Sequence, residues 1–228
     1  MKKLFMILNT IMLVFTLIFD VLYMINGGLL LKSIASIMFV LTGVINISYC
    51  IKNKTNLKFP IWMLVALICA MLGDILLNIN FYIGTIIFAV AHVFYFISYC
   101  MLQKMNRRDI LCGIGIFIIA ISIILFTPFL NFEATLMKGI CCFYALIISF
   151  MVGKAISNIL KENSFINIII MIGSILFFIS DFMLLLNKFG NIAGTNYLCL
   201  GTYYPAQFLL AFSILTYAGM NFFKKREV

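Results

Sequence analysis

Two aspartates interrupt apolar stretches of this 228-residue chain, Asp74 in AMLGDILLNI and Asp181 in SILFFISDFMLLLN. An ionised carboxylate inside hydrocarbon costs at least about 2.5 kcal/mol, so a carboxyl group at such a position is by default a candidate functional group. A carboxyl group in a low-dielectric site beside a second carboxylate keeps its proton at neutral pH, as a general acid must. We therefore expect Asp74 and Asp181 to be catalytic residues that divide acid and base roles between them.

Other polar side chains share helix faces with one another at three- or four-residue spacing. The pairs formed in this way are Asn78 with Asp74, His92 with Tyr95, and Tyr204 with Gln207. His92 could also serve only as a hydrogen-bonding link between helices, as polar groups in membranes often do. We expect these residues to line one pocket with the two aspartates, in the outer half of the membrane.

Two lysines, Lys32 and Lys138, also lie in apolar stretches. Lys32 could hold one aspartate in its ionised form or bind a substrate phosphate, and Lys138 is the weaker candidate for either role. Alternatively, each lysine could extend its apolar stem along the protein and place its charge at the membrane interface. If Lys32 belongs to the site, it should lie within ion-pair distance of Asp74 or Asp181, because an uncompensated charge at this depth is costly.

The elements that must position these groups are membrane-spanning helices, because 65% of the residues are apolar and only 10% are charged. Stretches of about twenty apolar residues, enough to cross roughly 30 Å of hydrocarbon, occur eight times. The predicted spans are residues 4–25, 29–50, 59–79, 82–103, 110–130, 135–157, 165–187 and 200–222. We therefore predict an all-α polytopic transmembrane bundle that forms a single integral membrane domain over residues 1–228.

The net charge of +9 is explained by topology and not by a nucleic-acid partner. With the N-terminus in the cytoplasm, thirteen of the sixteen basic residues fall on the cytoplasmic side, and only Lys32, Lys138 and Lys188 do not. This asymmetry predicts a multi-pass protein of the cell membrane with both termini cytoplasmic.

The two halves of the chain, approximately residues 1–105 and 106–228, resemble each other. LLLKSIASIMF aligns with TLMKGICCFYA, LGDILL with ISDFMLL, and AHVFYFIS with AQFLLAFS. Because each half contributes four helices, the predicted 4+4 repeat is parallel, with its axis along the membrane normal. The offset between the halves grows before the last helix, which we attribute to a longer outer connection over residues 190–201.

Several enzyme classes are excluded by the motifs that the chain lacks. The seven cysteines contain no Cys-x-x-Cys pair and the chain has one histidine, so neither a disulfide framework nor a zinc site is predicted. There is also no His-Glu-x-x-His, Gly-x-Ser-x-Gly or glycine-rich phosphate loop. We expect chemistry that uses carboxylates, lysines, amides and tyrosines, without a metal or an organic cofactor.

Four short motifs follow one another along the chain: Gly73-Asp74, Ala91-His92 with Tyr95, Ser180-Asp181 followed by Asn187-Lys188-Phe189, and Tyr203-Tyr204-Pro205-Ala206-Gln207. In their order and spacing, these motifs resemble the YhhN family of lysoplasmalogenase-like membrane proteins. A departure is that Lys32 precedes Ser33 where this family leads us to expect a proline. The resemblance implies hydrolysis of the vinyl ether bond of lysoplasmalogens to a fatty aldehyde and a glycerophospho head-group alcohol, and it adds Asn187 to the supporting residues.

Vinyl ether hydrolysis fits the residue chemistry, because it begins with protonation of a carbon and forms an oxocarbenium ion that water traps. One aspartate would supply the proton and the other would stabilise the cation, by analogy with the carboxylate pair of glycosidases. The expected partners are a lysoplasmalogen and membrane lipids, while the head-group preference and the oligomeric state stay open. Two alternatives also stay open, a proton-coupled transporter of small molecules or lipids and a non-catalytic lipid-binding protein. A transporter predicts a polar path to the cytoplasmic side, yet the inner halves of helices three and seven hold few ionisable groups.

Overall fold

The computed structural model describes residues 2–132 and 134–224, with side chains as far as Gly219. Lys225 and Arg226, which the charge pattern assigns to the cytoplasm, lie outside the described residues. The described chain folds into eight helices: α1 Lys2–Asn26, α2 Leu29–Lys52, α3 Lys58–Leu77, α4 Phe81–Leu102, α5 Arg107–Phe126, α6 Thr135–Lys161, α7 Phe165–Gly190 and α8 Thr195–Lys224. Each has a segment long and apolar enough to cross a membrane. The predicted all-α bundle of eight spans is therefore confirmed.

The bounds of α5 and α3 differ from the prediction for local reasons. α5 begins three residues earlier than predicted because Asn106 and Asp109 form a reciprocal capping box, and it ends at Phe126. α3 ends at Leu77, so Asn78 lies in the turn that follows. Polar capping residues at a helix start lower the local hydropathy, and a span defined by apolar residues then omits the first turn.

The connection between α7 and α8 is shorter than predicted. α7 continues to Gly190 and ends where Asn191 adopts the left-handed conformation, with a φ of 50°. Gly194, with a φ of 82°, precedes the first residue of α8 at Thr195. The predicted long outer connection over residues 190–201 is therefore wrong, because the additional residues of the second half extend the two helices instead.

The helices pack as four hairpins, α1 with α2, α3 with α4, α5 with α6, and α7 with α8. Between hairpins, α2 packs on α3 and α8, and α6 packs on α7 and α4. The predicted parallel repeat makes α2 equivalent to α6 and α8 equivalent to α4, so these contacts correspond in pairs. The repeat and the cytoplasmic termini stay predictions. Following the predicted topology, we call the end that carries residues 27–28, 78–80, 127–132 and 191–194 the outer end.

A buried ion pair lies near the opposite end of the bundle, between α5 and α6. Lys154 Nζ lies 2.7 Å from Asp109 Oδ2, and both side chains are almost fully buried. Lys154 also donates a hydrogen bond of 3.3 Å to the carbonyl oxygen of Lys104. Lys154 therefore links α5 and α6 inside the bundle, and the charge pattern had indicated only that it lies toward the cytoplasmic side.

Candidate active site

Three polar atoms from α4, α6 and α7 meet inside the bundle. The hydroxyl oxygen of Tyr144 lies 2.6 Å from His92 Nε2 and 2.6 Å from Asp181 Oδ2, and His92 Nε2 lies 3.1 Å from the same carboxyl oxygen. His92 is fully buried, and the Asp181 side chain retains 13% of its exposure. We call this group the Asp181 cluster.

His92 contacts α6 through its second ring nitrogen. Nδ1 lies 3.3 Å from Met151 Sδ, a weak acceptor that a proton on Nδ1 could face. With its proton on Nδ1, the neutral ring would present Nε2 as an acceptor to Tyr144, and with its proton on Nε2 it would donate toward Tyr144 and Asp181 Oδ2. His92 therefore lies where it can exchange a proton with the Asp181 carboxyl group.

A cavity of about 90 Å³ lies beside the Asp181 cluster, toward the outer end. Its walls are apolar side chains from α3 to α7, and its polar groups are Thr85, Tyr144 and Asp181. It has room for several waters, and its polar groups could hold them. Of the predicted site residues that the structure describes, Asp181 alone lines it. The cavity thus places an apolar volume against the Asp181 cluster.

A groove of about 720 Å³ lies on the other side of Thr85 and Tyr144, between α4 and α6. The two residues line both spaces, so the groove and the cavity are separated by little more than these side chains. Along α6 the groove extends from Thr135 to Ile147, about 18 Å of helix, and one leaflet of hydrocarbon is about 15 Å thick. Its walls are apolar apart from the two threonines and Tyr144, so it can accommodate the hydrocarbon chain of a lipid.

Asp74 lies in a second buried cluster, formed by α2, α3 and α8. Lys32 Nζ lies 2.9 Å from Asp74 Oδ1, which confirms the predicted contact between Lys32 and an aspartate. Ser36 and Tyr204 donate hydrogen bonds of 2.6 Å and 3.0 Å to Asp74 Oδ2. Asp20 of α1 is also buried and lies within electrostatic range of Asp74. This Asp74 cluster therefore combines two carboxyl groups with one ammonium group.

Aromatic rings separate the two clusters. The Phe177 ring packs 4.6 Å from the His92 ring on one side and 5.4 Å from the Tyr203 ring on the other. The Tyr203 ring in turn lies 5.0 Å from that of Tyr204 in the Asp74 cluster. The expectation that all the polar residues line one pocket is therefore wrong, because large side chains from α7 and α8 fill the space between the carboxylates.

The two aspartates also lie at different distances from the outer ends of their helices. Asp74 is three residues from the end of α3 and Asp181 is nine residues from the end of α7, or about 5 Å and about 14 Å. The predicted spans had given both the same depth. The difference arises because α3 ends earlier than predicted and α7 ends later.

The remaining predicted site residues are distributed around these clusters. The Tyr95 hydroxyl donates a hydrogen bond of 2.6 Å to Gln207 Oε1, and both side chains are fully buried. Asn78 is exposed beyond the end of α3, so it does not share a helix face with Asp74. Asn187 is half-buried in the last turn of α7, next to Lys188.

Sequence reasoning missed Ser36, Tyr144 and Met151. Ser36 could have been found, because it lies four residues after Lys32 and so shares its helix face. Tyr144 has no comparable signal, since the offset of 106 residues aligns it with Met38, an apolar residue. Met151 looks like any apolar core residue, and its contact with His92 depends on how α6 packs against α4.

Comparison with known proteins identifies the family. The YhhN family model matches residues 28–214, which is most of the chain and includes the Asp181 cluster and, apart from Asp20, the Asp74 cluster. The chain therefore belongs to the YhhN family. Comparison with curated proteins and with solved structures gave no match.

Proposed function

We propose that this YhhN protein hydrolyses the vinyl ether bond of lysoplasmalogens and releases a fatty aldehyde and a glycerophospho head-group alcohol. The observation that carries the proposal is the contact of 3.1 Å between His92 Nε2 and Asp181 Oδ2 at the polar wall of an apolar cavity, where the two groups would share one proton. Vinyl ether hydrolysis needs a strong proton donor next to a hydrocarbon chain. Family membership is consistent with this activity.

The reaction begins when the shared proton moves from the Asp181 cluster to the vinyl carbon that is further from the ether oxygen. This step leaves an oxocarbenium ion, which the Asp181 carboxylate stabilises at short range. A water in the cavity attacks the cationic carbon and returns one proton to Asp181. The resulting hemiacetal breaks its bond to the glycerol oxygen, which takes up the hydroxyl proton, so that aldehyde and alcohol leave with one water consumed. Tyr144 donates to the carboxylate and orients it.

Asp74 has a different role in this proposal, that of a positioning residue. Its carboxylate is already bound by Lys32, Ser36 and Tyr204. Those contacts join α2, α3 and α8, and through Tyr204 they fix the neighbouring Tyr203 ring that packs on Phe177. In this proposal Asp181 takes part in the chemistry, and Asp74 holds the surrounding helices and aromatic rings in position.

The substrate reaches the cavity from the membrane, through the groove between α4 and α6. A single-chain lipid places its hydrocarbon chain along this groove with its head group at the outer end. Displacement of the Tyr144 and Thr85 side chains then opens the groove to the cavity. The protein would act as a multi-pass enzyme of the cell membrane, with its active pocket in the outer half of the bilayer.

The decisive experiment supplies the purified protein with a lysoplasmalogen and measures aldehyde by mass spectrometry. The matched control substrate is the lysophospholipid with a saturated ether at the same position, which cannot be protonated at that carbon. We expect stoichiometric aldehyde and head-group alcohol from the vinyl ether and neither from the saturated ether. Absence of aldehyde with folded protein would refute the proposal.

A second candidate, proton-coupled transport, is supported by a column of buried polar residues on α4. His92, Tyr95 and Tyr99 follow one another along one face of α4, from the Asp181 cluster toward the end opposite the outer end, and the buried Gln103 comes directly after the helix. Such a column could carry protons across the inner half of the bundle. If so, the interior of vesicles that contain the protein should become more acidic when a transported molecule, such as the lysoplasmalogen, is added outside. A hydrolase without proton transport should cause no such change of the internal pH.

A further inference from the structure

The cavity is bordered toward the outer end by three phenylalanine rings. Phe81 and Phe189 line the cavity, and their rings pack edge to face with centroids 5.9 Å apart. The Phe132 ring stacks on Phe189 at 4.5 Å. The backbone N–H of Asn131 donates to the carbonyl oxygen of Phe189 at 2.8 Å, which holds the connection from α5 to α6 against the end of α7. We call these three rings the aromatic rim.

A lysine lies at each end of the aromatic rim. Lys188 Nζ is 5.3 Å from the centre of the Phe81 ring, and Lys138 Nζ is 5.9 Å from the centre of the Phe132 ring. Within the part of the chain that the structure describes, neither lysine pairs with a carboxylate. Lys32, the third basic residue assigned to the outer side, is occupied by Asp74. Lys138 and Lys188 are thus the described cations available to an anion at the mouth of the cavity.

The height of the two lysines above the Asp181 cluster matches a phospholipid. Lys188 lies seven residues beyond Asp181, about 10.5 Å along α7, and Lys138 lies six residues before Tyr144, about 9 Å along α6. In a 1-alkenyl lysophospholipid, seven bonds separate the phosphorus from the carbon that is protonated. Three bonds of an extended chain span roughly 3.5 Å, so this separation is about 8 Å. A phosphate at the rim therefore brings the reacting carbon to the level of Asp181.

We propose that Lys138 and Lys188 bind the phosphate of the substrate at the aromatic rim, and so set the depth at which the vinyl ether enters the cavity. This inference rests on the proposed function for the identity of the lipid. A lysine binds phosphate as a point charge on a flexible stem, so both ammonium groups can approach an anion above the rings. The ring faces hold each ammonium near the mouth when no lipid is bound. Selectivity then favours single-chain lipids with a phosphate over neutral lipids.

The test measures binding without hydrolysis, using two saturated ether ligands that the enzyme cannot cleave. One is a 1-O-alkyl lysophosphoethanolamine, and the other is the 1-O-alkylglycerol of the same chain length, which lacks the phosphate. Isothermal titration of the protein in neutral detergent gives an affinity for each. We expect the native protein to bind the phosphorylated ligand at least about tenfold more tightly than the alkylglycerol, because a charge-assisted contact to the phosphate contributes at least about that factor. Equal affinities would overturn the inference.

Variants of the two lysines then show whether these residues cause the preference for the phosphorylated ligand. The double variant Lys138→Gln with Lys188→Gln should lose the preference and keep its affinity for the alkylglycerol, while arginine at both positions should retain it. Each single glutamine variant should lose part of the preference, which covers the case in which the double variant does not fold. Lys161→Gln, an exposed lysine at the opposite end, is the matched control and should behave as the native protein. A preference that survives the double variant refutes the role of these lysines.

The two proposals fail in distinguishable ways. If lysoplasmalogen is not hydrolysed but the phosphorylated ligand still binds through the two lysines, the proposed reaction is wrong and the phosphate site stands. If hydrolysis proceeds in the double variant with an unchanged KM, the reaction stands and the phosphate site is wrong. With both proposals correct, the double variant should raise KM about tenfold or more and leave kcat within a few-fold of the native value, because the lysines do not touch the reacting atoms.

Discussion

Replacement of Asp181 by asparagine should abolish vinyl ether hydrolysis and leave the fold intact. The amide has nearly the shape of the carboxyl group, so the Tyr144 hydroxyl, now 2.6 Å from Asp181 Oδ2, can still donate to the amide oxygen. The side chain borders a cavity and is 13% exposed, so the substitution creates no deeply buried unpaired charge. We therefore expect a melting temperature within a few degrees of the native value.

The loss of activity in Asp181→Asn is large because the Asp181 carboxyl group has two roles in the proposed reaction. An asparagine cannot share a proton with His92, and the loss of general acid catalysis alone costs about 10² to 10⁴-fold. The amide also lacks the negative charge that stabilises the oxocarbenium ion, and removal of such an interaction typically costs a further 10²-fold or more. The roles overlap in a single transition state and do not add fully, so we expect kcat to fall by at least about 10³-fold.

The assay is aldehyde release from a lysoplasmalogen, followed by mass spectrometry in parallel for native protein, Asp181→Asn and a control variant. Cys142→Ala is the matched control, because Cys142 lies on α6 near Tyr144 but does not line the cavity. The control should retain native kcat. A kcat for Asp181→Asn within tenfold of the native value would refute the reasoning, since no other carboxyl group among the described residues lines the cavity.

The remaining predictions concern stability, proton transfer, access and topology. Asp74→Asn should lower the free energy of unfolding by about 3–5 kcal/mol in thermal melts, because Lys32 is left buried and unpaired, and adding Lys32→Met should recover most of the loss. In deuterated water kcat should be lower than in ordinary water because the slow step moves a proton to carbon; an unchanged kcat would contradict this. Gly139→Leu should raise KM for lysoplasmalogen severalfold, because the leucine side chain would fill the groove that Gly139 lines. Stability should not change, because a Cβ at Gly139 has nothing within 4 Å. Gly115→Leu, at an equally open position on α5, is the control and should not change KM. A reporter fused after Val228 should be cytoplasmic, and an external signal would contradict the predicted topology.

The helices could be predicted from the sequence because hydrocarbon imposes a simple rule on the chain. A span needs about twenty apolar residues, and the sequence contains eight such stretches with little else between them. Errors arose where helices extend into polar sequence, as at Thr195, where α8 begins several residues before its apolar stretch. The boundary there is set by the left-handed residues Asn191 and Gly194 and not by hydropathy.

The site could be predicted only in part. A charged residue inside a span is visible in the sequence, and the cost of burying it made the contact between Lys32 and Asp74 predictable. Which helices meet at each aspartate depends on packing, and no spacing rule could place Tyr144 beside Asp181. The separation of the two carboxylates could not be predicted either, because Phe177 and Tyr203, whose rings lie between them, look like ordinary apolar or interfacial residues in the sequence.

The predicted repeat suggests a physical reason why the cavity lies at one aspartate and not at the other. Asp74 takes its partners from α2 and α8, and Asp181 takes its partners from α6 and α4, which are the equivalent helices. Lys32 and Lys138 are also equivalent positions, yet Lys32 reaches into the bundle and neutralises Asp74, whereas Lys138 lies against Phe132 at the aromatic rim. A lysine that points inward fills its site and pairs its carboxylate, which leaves neither space nor a mobile proton for chemistry. Because Lys138 points outward, Asp181 keeps a cavity beside it and contacts His92, so the predicted repeat would place the proposed supporting cluster in one half and the proposed reactive cluster in the other.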